Sequence, residues 1–207
     1  MMSRIRPEAA PAPRYGIAGP MVGAPYAVML LETLVARGAR RAIFAGWCGA
    51  LAPELRIGDI VIPDGAVVDE GTSPGYGVSP GEIVRPDPEA AASLREAVGG
   101  RGHPVHAVSV WTTDAIFRET PSRIRKYRAL GAAAVEMEVS ALFTAARFLE
   151  IPISAILTVS DSLVDSTWRP GFRDPRFRAG RRLTCEVIAE LCRKQPLPPK
   201  PSNGPVS

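Results

Sequence analysis

Three carboxylates, Glu136, Glu138 and Asp161, are the side chains of this sequence best placed to do chemistry. Glu136, Met137 and Glu138 follow a short apolar run at 132–135 and precede 139–149, where Leu142, Phe143, Ala146 and Leu149 fall on one side of a helix. They therefore sit at a strand-to-helix junction. The apolar run 153–159 reads as a buried parallel strand, so Ser160 and Asp161 emerge at its carboxyl end, where open α/β sheets bind ligands. Asp161 is then an acid at a cleft, able to deliver a proton to a bound group. The plainer alternatives are that Glu138 only favours a helix N-terminus electrostatically, and that Asp161 with Ser160 and Ser162 only caps a turn.

The elements that must position these groups are legible on either side. A helix is predicted over 25–37, with Pro25 in its first turn, Val28, Leu31, Leu34 and Val35 on one side, and Gly38 at C′. Strands are predicted at 41–45, 59–63, 65–69 and 105–110, and helices at 88–98 and 121–130. Residues 74–81 form a Gly/Pro-rich loop of the kind that borders sites. This alternation predicts a single α/β domain over 15–195, a central mixed or parallel sheet flanked by helices. Residues 1–14 and 196–207 are rich in Pro without periodicity and are expected to be disordered.

The chain has 207 residues, enough for one well-filled core. Its net charge of +4 is dispersed, and no basic run is interleaved with aromatics, so nucleic acid is not an expected partner. Every apolar stretch is far shorter than the roughly 20 residues that span a bilayer, and the first residues lack the apolar core of a signal peptide. No membrane partner and a cytoplasmic location are expected. Cys48, Cys185 and Cys192 have no metal-ligand spacing; Cys185 and Cys192, a heptad apart on a helix, read as buried thiols. No metal or other cofactor is expected.

Val135-Glu136-Met137-Glu138 and Thr158-Val159-Ser160-Asp161, preceded in order by Gly19-Pro20-Met21-Val22-Gly23-Ala24-Pro25, Gly46-Trp47-Cys48-Gly49-Ala50-Leu51 and Gly58-Asp59-Ile60-Val61-Ile62-Pro63, together resemble the nucleoside phosphorylase family. That family contains purine nucleoside phosphorylases, uridine phosphorylases and nucleosidases, and the likeness runs from about Gly19 to Asp161. The resemblance implies an enzyme that cleaves the N-glycosidic bond of a nucleoside by phosphorolysis or hydrolysis. By the same resemblance Asp161 protonates a purine N7, oriented by Ser160. Glu138 accepts hydrogen bonds from the ribose hydroxyls, Met137 packs on the sugar, and Glu136 lies near base or sugar. Trp111 either stacks on the base or is a core residue. A purine-type base is favoured because pyrimidine-specific members use a Gln and an Arg, and the only Gln here is Gln195, at the edge of the tail. Arg118 could approach a polar base or an anion, or be a surface residue. His103 and His106 match no catalytic position. Assembly into a homo-oligomer is implied, with Trp168, Phe172 and Phe177 as candidate contacts.

The sequence also departs from the family. Phosphate, the expected co-substrate, is held in phosphorylases by a Gly-rich loop after the first strand and by an Arg and a Ser around the Gly-x-Cys-Gly turn. Here Phe44 and Trp47 stand at the latter two positions, beside Gly46, and the family's first strands and phosphate loop have no counterpart before Gly19. Trp47, with one indole donor, does not replace a bidentate Arg. Two alternatives therefore stay open: a non-catalytic nucleoside-binding member, and a fragment of a complete enzyme.

Overall fold

The structure, a computed structural model, describes residues 3–4 and 15–194; the tail expected to be disordered, and residues 1–14 apart from 3–4, lie outside the described residues. In chain order the elements are β1 (Ser3–Arg4), β2 (Gly16–Ile17), α1 (Ala24–Ala36), β3 (Ala42–Ala50), β4 (Ile60–Val61), β5 (Gly65–Asp69), β6 (Ile83–Val84) and α2 (Pro88–Gly99). There follow β7 (Val105–His106), β8 (Ser109–Thr113), α3 (Pro121–Ala129), β9 (Ala132–Glu136), α4 (Val139–Phe148), β10 (Ile153–Ser162), β11 (Arg169–Pro170) and α5 (Pro175–Lys194). Short 3₁₀ turns occupy Ser73–Tyr76 and Ile116–Arg118.

The main sheet runs β6-β5-β8-β9-β3-β10-β4-β7, with β11 added to β10. It is mixed: β3 and β10 run parallel along their length, as do β5, β8 and β9, whereas β3 meets β9 antiparallel. That last contact is brief, pairing only Gly49 with Val135 and Ala50 with Ala134. Two runs of parallel strands, β5-β8-β9 and β3-β10, each edged by an antiparallel strand, therefore touch where the carboxyl ends of β3, β10, β8 and β9 converge. Ligands collect at such reversals because the loops leaving each half diverge and open a crevice.

One face of the sheet is covered by α1 and α4, which share a core with β3, β5 and β10 through Val28, Leu31, Leu142, Phe143, Val68 and Leu157. From Val139 to Ala146 every residue of α4 is buried, as expected of a helix that packs on both α1 and the sheet. On the other face α2 and α5 pack Leu94, Val98, Leu183 and Val187 against Ile60 and Ile156. Alongside them, α3 covers Trp111 and Val135 with Ile124 and Tyr127.

Several boundaries differ from the sequence reading. β3 continues through Gly46, Trp47 and Gly49, so the expected turn is strand. The strand predicted at 105–110 breaks into β7 and β8, which join different half-sheets. Cys185 is exposed and Cys192 half-buried, not buried thiols. The buried stripe of α5 follows Phe177, Gly180, Thr184, Val187 and Leu191, and the heptad places both cysteines beside it.

Candidate active site

Asp161 does not emerge beyond its strand. β10 carries an irregularity between Val159 and Asp161, after which Asp161 pairs with Gly49 on one side and Pro170 on the other. A Cβ at Gly49 would lie 3.0 Å from Asp161 Oδ2 and 3.3 Å from the Val135 side chain, so glycine there lets the carboxylate lie flat over β3. Ser160, almost fully buried, donates its hydroxyl to Asp161 Oδ1 at 2.6 Å, with the Cys48 carbonyl oxygen 3.2 Å away. The second oxygen, Oδ2, accepts the indole N–H of Trp168 at 3.1 Å. Glu119, at the start of the segment entering α3, feels the charge of the same carboxylate. Burial and then the negative charge of Asp161 push the Glu119 carboxyl up to about 7, with Arg123 opposing.

Glu136 ends β9, whose Val135 pairs with Gly49 of β3, and Glu138 follows two residues on. The Cys48 thiol, on β3, is pushed well above its ordinary value, by burial first and then by the charges of Asp161 and Glu136. Glu136 is only 5% exposed and fully engaged. Its Oε1 accepts the Thr112 hydroxyl, and its Oε2 accepts the backbone N–H groups of Glu138 and Val139 at 2.6 and 2.7 Å. It satisfies donors at the N-terminus of α4, which otherwise have no intrahelical partner. Burial, then the charge of Glu138, raises its carboxyl to about 8 against the opposing pull of these hydrogen bonds. Glu136 builds the junction, with both its oxygens engaged by the protein.

Glu138 is differently placed. Its Oε1 accepts the Gly23 N–H at 2.5 Å, which brings the Gly19–Pro25 motif onto the site from 115 residues away. Burial raises its carboxyl, opposed by the Gly23 and Met137 backbone donors, while Asp114 raises it further. Met137, between the two glutamates, is half-buried.

Trp111 is not brought to this crevice. It is wholly buried, stacked on Tyr127 with ring centroids 4.3 Å apart, and its indole donates to Asp69 at 2.8 Å under the Arg123 guanidinium. It is a core residue between β8 and α3. Nor do Phe44 and Trp47 share a pocket. Three residues apart on one strand, they point to opposite faces. Phe44 packs against the core under α1 and α4, its ring tight against Gly46. Trp47 meets Phe177 and Phe172 at ring-centroid distances of 5.2 and 6.1 Å, below the Arg181 guanidinium. Trp168 extends this cluster through Phe172, so the aromatics suspected of self-association gather beside Asp161 on the same chain. Arg118 stands exposed on its 3₁₀ turn.

Sequence reasoning missed a second polar network. Buried Glu70 accepts the backbone N–H groups of Thr72 and Ser73, the Ser73 hydroxyl, and the Ser140 hydroxyl at 3.0 Å. The Ser140 N–H donates to Thr112 Oγ1 at 2.9 Å, which links Glu70 to Glu136. The Gly/Pro-rich loop is thereby tied to the first turn of α4. Its signal was the run Glu70-Gly71-Thr72-Ser73, an acid followed by residues that donate back to it. Among the described residues no group of three or more His, Cys, Asp or Glu side chains is disposed to hold a metal ion, and no helix is long and apolar enough to cross a membrane.

Comparison with known proteins agrees with this architecture. The phosphorylase superfamily profile matches residues 12–191. Guanosine phosphorylase of Halorubrum lacusprofundi is 31% identical over 143 residues, covering 69% of this chain and 59% of that protein. The DeoD-type purine nucleoside phosphorylase of Bacillus cereus is 28% identical over 155 residues, covering 72% and 64%. The chain thus spans less than two thirds of the length of these curated relatives. Among solved structures, an AMP nucleosidase from Bacteroides thetaiotaomicron superposes with a TM-score of 0.66 at 26% identity, over 84% of this chain and 71% of that one. Purine nucleoside phosphorylase from Toxoplasma gondii, in complex with immucillin-H, gives 0.79 over 93% and 82%, at 19% identity, a likeness of fold alone.

Proposed function

The chain belongs to the phosphorylase superfamily, and from that premise we propose that it cleaves the N-glycosidic bond of a purine-type nucleoside. The observation that carries this reading is the meeting of strand ends at β3, where Gly49 pairs with Asp161 of β10 on one side and with Val135 of β9 on the other, so that Asp161 and Glu136-Met137-Glu138 share one end of the sheet. Breaking the C1′–N9 bond leaves its electron pair on the base and positive charge on the sugar. Asp161, oriented by Ser160, gives a proton to N7 so that the base departs neutral. Glu138 accepts the ribose hydroxyls at the acceptor positions that Gly23 and Met137 leave open, and its negative charge stabilises the positive charge developing on the sugar. An oxygen of water or phosphate then bonds to C1′.

Phe44 and Trp47 support water, or a poorly held phosphate, as that nucleophile. Neither offers a charged donor: Phe44 packs into the core under α1 and α4, and Trp47 lies among Phe172 and Phe177 on the opposite face. A panel of inosine, guanosine, adenosine and uridine, assayed for base release with and without phosphate, tests the proposal. Release from purine nucleosides, unchanged by phosphate, is expected; saturable acceleration by phosphate with ribose 1-phosphate as product would restore phosphorolysis. The same apolar pair favours a second reading, a nucleoside-binding member without turnover. Binding of inosine in a calorimeter without base release would establish it.

A further inference from the structure

Asp161 is already occupied. Its Oδ2, the atom that in the proposed reaction serves the base, accepts the indole N–H of Trp168. An indole is a fused five- and six-membered bicycle whose five-membered ring carries the donor. A purine leaving with a proton on N7 presents the same outline and the same donor. An indole N–H donates and never accepts, so while it is in place it takes an acceptor position of Oδ2 and its ring fills the space beside that oxygen.

The chain holds this indole in a way that permits release. Trp168 lies on the return from β10 to β11, immediately before Arg169, which pairs with Ser162, while Pro170 pairs with Asp161. The Gly171 N–H donates to the Ser160 carbonyl at 2.8 Å. The backbone on the far side of Trp168 is thus fixed to the strand that bears Asp161, and rotation of the side chain alone moves the indole. That rotation sacrifices little: the residue is 57% exposed, and its only ring neighbour among the described aromatics is Phe172, at 6.4 Å and tilted. The ring it would join, Trp47, is itself half exposed.

We propose that Trp168 is an internal occupant of the base position, an indole that holds Asp161 Oδ2 in the empty site and is displaced by a purine bearing an N–H at the equivalent place. The proposal rests on the base-site reading above and deepens it at the product stage: a free purine base with a proton on N7 replaces the indole's donor, whereas in the nucleoside N7 accepts and the proton comes from Asp161. Pyrimidine nucleosides, with no five-membered ring, leave Trp168 where it is.

The three tryptophans, Trp47, Trp111 and Trp168, give three indole N–H resonances in ¹⁵N-labelled protein, and Trp168→Phe identifies one of them by its loss. In Asp161→Ala that resonance should move and exchange faster with water; if it is unaffected, the contact does not exist in solution and the proposal is overturned whatever the protein binds. With hypoxanthine the same resonance should move in the wild-type chain, and uridine should leave it in place. Trp168→Phe, which keeps a ring but removes the competing donor, should bind hypoxanthine about tenfold more tightly by calorimetry, the worth of one hydrogen bond to a charged acceptor. Hypoxanthine binding with the resonance unmoved, or unchanged or weakened by Trp168→Phe, overturns displacement and leaves the base-site reading standing. No purine binding by either form overturns both.

Discussion

At the scale of the residue, the distinction that matters is between carboxylates whose oxygens are spent and those with an oxygen to spare. Glu136 spends both on the protein, whereas Glu138 gives one to Gly23. Glu138→Gln should therefore weaken ribonucleosides more than their 2′-deoxy analogues, by roughly 1.5–3 kcal/mol, the worth of a hydrogen bond to a charged group. Competition binding with inosine and 2′-deoxyinosine checks this, and an unaltered preference would leave Glu138 as a helix-terminal anchor of the Gly23 loop. For Asp161, replacement by Asn keeps an oxygen for Ser160, turns an amide NH2 toward Trp168 and removes the proton. Turnover of inosine should fall by about 10²–10⁴-fold with little change in melting temperature. A nucleoside whose leaving group needs no protonation should lose far less; equal losses in kcat/KM would show that Asp161 is not the acid.

At the scale of the element, α4 and α5 are positioned by close polar and steric contacts that set testable limits. Glu136 caps α4 with a carboxyl whose folded value is about 8 against an ordinary 4.5. Between those values the folded chain holds a proton that the unfolded chain has released, so this residue's contribution to stability falls as pH rises, by up to about 1.4 kcal/mol per pH unit. Below about 4.5 and above about 8 the slope vanishes. Glu136→Gln removes the titration, so the stability of the wild type relative to the variant, from urea unfolding at pH 5, 6.5 and 8, should decline steadily. Parallel curves would show that the carboxyl is not held protonated. For α5 the limit is steric. A Cβ at Gly180 would lie 2.4 Å from the Gly58 carbonyl oxygen and 2.8 Å from the Thr158 methyl. Gly180→Ala should cost about 1–3 kcal/mol of stability, the usual range for overpacking, read as a lower urea midpoint at unchanged slope. A neutral result would mean that α5 shifts freely on β10.

At the scale of the whole molecule, the mixed sheet leaves β3 paired on the β10 side along its length but on the β9 side only at Gly49 and Ala50. Beside that strand Trp47, Trp168 and Phe172 are about half exposed, and elsewhere Phe117 is 97% exposed. Large aromatics of this kind anchor interfaces when covered, and a strand paired on one side invites association. The chain should therefore self-associate, and light scattering at micromolar concentration should report a dimer or a larger assembly; a monomer would assign the aromatics to the crevice alone.

What the sequence determined by itself was mostly local. The apolar runs and their caps located β5, β9, β10, α1, α2, α3 and α4 to within a few residues, because a buried strand or an amphipathic helix writes its period into the chain. The strand-end carboxylates were legible for the same reason. What only the tertiary structure decided was direction and partnership. Phe44 and Trp47 looked like neighbours in a turn until β3 ran straight through them and its pleat sent them to opposite faces. Trp111 could be placed at a base or in a core until Tyr127, sixteen positions on, stacked against it. Gly23 and Trp168 acquire meaning only by lying against Glu138 and Asp161, contacts made by chain reversals that leave no periodic trace. A side chain's type and its element are fixed within a dozen residues, but what saturates its hydrogen bonds and shifts its proton arrives from the far end of the sheet.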